Sequence, residues 1–198
     1  MQDPRFSDPI DVQATVLPDG PTPAAPMARP SVGFMLAHPA HWFALGFGSG
    51  LSRIAPGTSG TLWAWVAYVV LSRWLNEAQW GLVIALSLPL GWWACTVTAR
   101  HMRVLDPGSI VWDEVVAFWL VLWLLMPASL TAQAVAFALF RFFDAVKPGP
   151  VGWADALFHH VDPQSDPRAW SKAGFGILFD DLVAAACTLL VIALWRFL

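Results

Sequence analysis

Apolar residues fall into five stretches along the last two thirds of the chain, at 62–75, 80–98, 115–125, 131–143 and 182–198. Only Asn76, Glu77, Ala78 and Gln79 separate the first two, and 126–130, with Pro127 and Ser129, separates the next two. Long apolar runs joined by such short polar turns predict antiparallel helix pairs. The pattern as a whole predicts an all-α fold, a polytopic integral membrane helical bundle. A spanning helix takes about 20 apolar residues to cross a ~30 Å hydrocarbon core. The middle pair is shorter than that even when 112–144 is counted as helix, so it is expected to be sheltered by its neighbours or to draw polar ends into the membrane.

Before residue 62 the pattern breaks down. Residues 1–31 hold much of the proline together with Asp3, Asp8, Asp11 and Asp19, and contain no continuous apolar run of the kind found in a signal peptide. They read as a flexible cytoplasmic tail, with a membrane-embedded domain over 32–198. Composition agrees with the membrane reading. The chain of 198 residues is 57% hydrophobic and only 13% charged, with a mean hydropathy of +0.57, whereas soluble domains carry roughly 25% charged residues. Thirteen Trp and thirteen Phe exclude disorder, because such side chains are buried in protein or lipid. The 11 Lys and Arg are scattered and the net charge is -3, which leaves no footprint for nucleic acid. Cys95 and Cys187 lie far apart in apolar runs and read as small buried hydrophobes.

The basic residues also orient the helices. With the tail in the cytoplasm, two hairpins and a final helix put Arg53, Arg100, Arg103, Arg141, Lys147, Arg168 and Lys172 on the tail's side and only Arg73 and Arg196 opposite. The positive-inside rule makes that side cytoplasmic. All sizeable polar segments, 32–60, 99–114 and 144–181, then converge on one face. Trp63, Trp74, Trp80, Trp112 and Trp195 stand near segment ends, where they are expected to anchor at the interface.

On this face Asp106, Asp113, Glu114, Asp144, Asp180 and Asp181 are expected at helix ends. Carboxylates gathered beside apolar helices repel one another unless a cation sits between them, and oxygen ligands suit Mg2+ sharing its shell with a phosphate. The histidines offer no ligand spacing for zinc: His38 and His41 flank Pro39, His101 is alone, and His159 and His160 sit in a polar loop. All five read as interfacial or solvated side chains. From Gly46 to Thr61 the chain reads G-F-G-S-G-L-S-R-I-A-P-G-T-S-G-T. Backbone N–H groups at Gly48, Gly57 and Gly60, with Ser49, Thr58 and Ser59, have the chemistry of a phosphate cradle before a helix, although a tight turn capping that helix has the same pattern. Arg141, Asp144 and Lys147 recur every three residues. They share one helix side, either as an interfacial ion-pair cluster or with the basic groups neutralising phosphate while Asp144 holds metal.

Other phosphoryl-transfer chemistries lack their motifs. Cys95 and Arg100 have the wrong spacing for a cysteine phosphatase loop. No D-x-D-x-[TV] start, no S-G-H of the vanadate-type lipid phosphatases and no D-G-x-x-A-R of the CDP-alcohol transferases occurs. Metal-assisted hydrolysis remains. The alternative is a small ion- or proton-coupled membrane protein with a carboxylate cluster. It needs ionisable groups at depth, and 115–125 and 182–193 hold none.

Four blocks in order, Gly46 to Thr61, D-P-G-S-I-V-W-D-E from Asp106 to Glu114, R-F-F-D-A-V-K-P from Arg141 to Pro148, and G-F-G-I-L-F-D-D from Gly174 to Asp181, resemble the bacterial phosphatidylglycerophosphatase A family over about 38–198. The resemblance implies a magnesium-dependent phosphoric monoester hydrolase of the bacterial inner membrane. Its substrate would be phosphatidylglycerophosphate and its products phosphatidylglycerol and inorganic phosphate. It places Asp106, Asp113, Glu114, Asp144, Lys147, Asp180 and Asp181 on the family's acidic and basic positions. Two departures are Ala173 before Gly174, where the family has a glycine pair, and a longer loop at 159–171. Arg53 stands where an uncharged residue is expected.

Overall fold

The computed structural model describes residues 25–27, 29–158 and 161–197. Most of the expected N-terminal tail, and both His159 and His160, lie outside the described residues. Those described are helical and include no strand. Two short helices, α1 (Val32–Leu36) and α2 (Pro39–Ala44), lead into a 3-10 turn at Gly46–Leu51. There follow α3 (Pro56–Leu71), α4 (Glu77–Met102), α5 (Trp112–Leu124), α6 (Leu130–Val146), α7 (Pro150–Ala156) and α8 (Ala169–Phe197). Two of them, α4 and α8, are long and apolar enough to cross a membrane.

The turn between α3 and α4 forms as the short polar spacer predicts. Asn76 accepts from the Gln79 amide at 2.9 Å and Gln79 accepts from the Asn76 amide at 2.9 Å, a reciprocal cap that satisfies two N–H groups at the start of α4. Beyond its first turn, which carries Asp113 and Glu114, α5 is apolar on every side and therefore central. Val115 to Phe118 are fully buried, and α5 packs against α3, α4, α6 and α8. A helix of 13 residues, about 20 Å long, is thus sheltered by its neighbours, as its shortness led one to expect.

Both α5 and α8 are keyed to α4 by close approaches. The Trp112 indole N–H donates to the Ser87 carbonyl at 3.2 Å, and a side chain at Gly91 would meet the Trp112 ring at 2.6 Å. Farther along α4, a side chain at Gly174 would meet the Thr96 backbone nitrogen at 2.7 Å. Only glycine at these crossings lets the helices touch at such distances.

Four expectations need correction. Helix α8 begins at Ala169, thirteen residues before the apolar run at 182, so Asp180 and Asp181 lie inside a helix rather than at its end. Helix α3 opens at Pro56, six residues before the apolar run that begins at Leu62, because a ring without an N–H fits the first helical position. Trp80 and Trp112 are core residues, 0% and 3% exposed, with indoles bonded to Ser72 and Ser87, while Trp74 and Trp195 are highly exposed. Finally, His101 is not alone and His41 is not solvated. His41 is buried, its Nδ1 lies 2.7 Å from the Phe34 carbonyl and its Nε2 lies 2.8 Å from His101 Nδ1, with the His38 ring beside both. Burial holds the His41 imidazole below the usual histidine range, so the neutral ring ties α1 and α2 to α4.

Candidate functional site

Asp113 and Glu114 stand in the first turn of α5, where unpaired backbone N–H groups favour negative charge. Opposite them α8 presents Asp181. One carboxylate oxygen from each of the three lies within 4.8 Å of the other two. Asp113 Oδ1, Glu114 Oε2 and Asp181 Oδ2 are all buried without a hydrogen-bond partner. Oxygens so placed have lost water and, when ionised, repel one another, a setting that a cation would relieve. Hard oxygens with no nitrogen or sulfur in the set suit magnesium or calcium rather than zinc.

Arg141, from α6, reaches the same place. Its Nη1 is paired with Asp144 one turn on, lies 3.7 Å from Glu114 Oε1 and donates to Thr61 Oγ1 at 3.4 Å. The guanidinium therefore links α3, α5 and α6 around the carboxylates. Asp144 also borders Asp181. The start of α3 comes closest of all: a side chain at Gly57 would meet Glu114 Oε1 at 2.2 Å and the Arg141 guanidinium at 3.2 Å. Gly57 brings the positive end of a 16-residue helix against the cluster.

A second charged group adjoins the first. Lys147 ends α6 in a left-handed conformation, φ 49°, before Pro148. Its ammonium pairs with Asp155 of α7 and, at 2.6 Å, with Asp180 of α8. Burial alone would lower its pKa, but the hydrogen bonds to Asp155 and Asp180 outweigh that and hold the ammonium well above the usual lysine range. Asp155 and Asp180 line a cavity of about 540 Å3 together with Asp106 and Arg103. Arg53 lines another, of about 710 Å3, which Asp106 also borders.

The expected site residues are therefore sorted into groups. Asp113, Glu114 and Asp181 come together with Arg141 and Asp144 around them. Asp180 turns instead toward Lys147, and Asp106 is exposed at the cavity rim. In the glycine-rich run, the Ser59 N–H already donates to the Ala55 carbonyl, leaving Gly57 and Thr58 as the early amides of α3. Gly60 is packed against Val111. Gly48, at φ 105°, donates to the Leu45 carbonyl, and the Ser49 hydroxyl donates to the Gly46 carbonyl, so both are engaged within their own turn. Asp155 is a residue that motif reading misses. The available signal is that it is the sole acidic residue between Asp144 and Asp162.

Known proteins give the context. The family model described as phosphatidylglycerophosphatase A matches residues 42–196. A phosphatidylglycerophosphatase A of Escherichia coli strain K12 is 38% identical over 149 residues, 75% of this chain and 78% of its own length. One from Haemophilus influenzae is 39% identical over 157 residues, 79% of this chain and 88% of its own. No solved structure matches. A family match that runs from within α2 to the last turn of α8, with all four sequence blocks in it, makes this chain a member of the phosphatidylglycerophosphatase A family.

Proposed function

We propose that the chain removes the terminal phosphate of phosphatidylglycerophosphate, releasing phosphatidylglycerol and inorganic phosphate, with Mg2+ held by Asp113, Glu114 and Asp181. The observation that carries the metal is the trio of buried, unpartnered carboxylate oxygens. Bound there, magnesium supplies Lewis acidity toward a phosphoryl oxygen and lowers the pKa of a water.

The chain's own residues do the rest. Arg141 is held in place by Asp144 and Thr61 and donates to phosphate oxygens as their charge spreads. The Gly57 and Thr58 amides at the start of α3 add fixed donors beside Glu114. Lys147, kept charged by Asp155 and Asp180, neutralises the head group at the mouth of the site. Asp106 and Asp180 face the adjoining cavity and complete the acidic rim.

The helices α3 to α6 and α8 are the membrane segments of this reading. Their alternation keeps the carboxylates on the side rich in Lys and Arg, the cytoplasmic face of a bacterial inner membrane. The lipid tails stay in the bilayer while the head group reaches that face. The test is phosphate release by the purified chain from phosphatidylglycerophosphate in mixed micelles. Activity is expected with Mg2+, lost to EDTA and regained on adding Mg2+ back. A rate indifferent to EDTA would remove the metal from the reading.

A further inference from the structure

We infer that the cavity of about 710 Å3 ahead of α3 seats the second phosphate of the substrate, the phosphodiester that joins glycerol to the lipid, with Arg29 and Arg53 as its donors. The inference rests on the phosphatase reading and adds to it a means of telling a two-phosphate head group from a plain phosphomonoester. Both guanidinium groups line this cavity, and neither has a hydrogen bond or ion pair among the described residues. Against the two cations the lining sets one carboxylate, Asp106. The positive excess suits a phosphodiester, which carries a single negative charge, and a guanidinium offers it two parallel N–H donors.

Position identifies the ligand. Pro56 lines the cavity, and the next residue, Gly57, abuts Glu114 and the Arg141 guanidinium. Gly57 stands four residues beyond Arg53, about 14 Å of chain at full extension, and the left-handed turn at Ala55, φ 46°, shortens that span. A head group with its terminal phosphate at the Gly57 and Thr58 amides therefore has its other phosphate, one glycerol away, within reach of Arg53. The segment that carries Arg29 is held in place on both sides. The Met27 N–H donates to the Met102 carbonyl at 2.9 Å, and the Ser31 hydroxyl accepts from the Phe34 amide at 3.1 Å. Beside the two cations, Val32 and Ile54 are 58% and 83% exposed. Such an apolar edge fits the boundary between head groups and acyl chains, where a lipid phosphodiester lies, better than a site for free phosphate.

The test compares phosphatidylglycerophosphate with phosphatidic acid, a phosphomonoester that lacks the second phosphate, in nonionic micelles with saturating Mg2+. In the double variant Arg29→Gln, Arg53→Gln the ratio of kcat/KM for the first lipid over the second is expected to fall about thirtyfold, and Arg53→Lys should keep part of it. An unchanged ratio overturns the inference. So does a fall seen only when phosphatidylglycerol is added to the micelle, since the occupant is then a neighbouring lipid. A second measurement needs no turnover. In EDTA, phosphatidylglycerophosphate is expected to raise the melting temperature of the unaltered chain by more than that of the double variant. Equal shifts overturn the pocket, as does an arginine-dependent shift with inorganic phosphate as large as that with the lipid. If the unaltered chain hydrolyses neither lipid while the difference in melting persists, the pocket stands and the phosphatase reading falls.

Discussion

Asp180 and Asp181 are neighbours in sequence but belong to opposite kinds of charged group. Asp180 points to Lys147, which Asp155 also holds, so that group carries its own countercharge. Asp181 points to Asp113 and Glu114, where three carboxylates and Asp144 share a single guanidinium and three oxygens lack any partner. Successive residues on a helix are about 100° apart, so one turn of α8 can serve both. The difference separates a charge network that is complete within the chain from one that could take up an ion from outside.

The largest effect should come from the incomplete group. Asp113→Asn and Asp181→Asn keep volume but remove charge, and each should lower hydrolysis at least about a thousandfold at saturating Mg2+. In EDTA the same variants should melt at a higher temperature than the parent, because buried like charges have been removed. Near-normal rates in both would show that the cluster is structural, and the contrast with Lys147 would collapse.

Lys147→Met comes next, with a rate about a hundredfold lower, since the head group loses a cation while the side-chain stem still packs. Here stability should move the other way. Asp155 and Asp180 then face each other, so a raised melting temperature would contradict the description of this group as complete. Asp155→Asn, which leaves Lys147 its bond to Asp180, should cost no more than about tenfold in rate; a loss as large as that of Asp181→Asn would place Asp155 in the reaction itself.

The smallest effect lies outside both groups. Buried His41 has a lowered pKa, and His38 and His101 face it. Its contribution is present above the ordinary histidine value and is lost as pH falls below it, because the unfolded chain then binds the extra proton. Thermal melting should begin a few degrees lower at about pH 5 than at about pH 7.5, and His41→Phe should flatten that dependence. A dependence unchanged in the variant would assign it to the carboxylates instead.

Much of this architecture was legible in the sequence because apolar runs broken by short caps leave few arrangements open. The turns at Asn76 and Ser129 fall where polarity marks them. What the pattern hid was helix made from residues that read as loop. Gly57, Thr58, Ser59 and Gly60 have weak helix propensity, yet they form the first turns of α3, where a side chain at Gly57 would strike Glu114 and one at Gly60 would strike Val111. Ala173, Gly174 and Gly176 hid the first half of α8 in the same way. The six carboxylates expected together are divided in the structure, because which of them meet depends on helix rotation, and the start of α8 sets that for Asp180 and Asp181. The tryptophans misled because an indole serves a membrane interface and a core equally well; burial with a satisfied N–H decided for Trp80 and Trp112.

The glycine crossings on α4 have a mechanical meaning. Asp113 is adjacent to Trp112, which is pinned at Ser87 and Gly91, and Asp181 lies seven residues, about 10 Å, along α8 from the contact of Gly174 with Thr96. Each helix that brings a carboxylate to the centre is thus aligned against the same third helix, which works as a jig and contributes no ligand of its own. The geometry of the three carboxylates is only as tolerant as two close helix contacts deep in the bundle. A single added methyl at Gly91 or Gly174 would detune the chemistry while leaving every charged residue in the chain untouched.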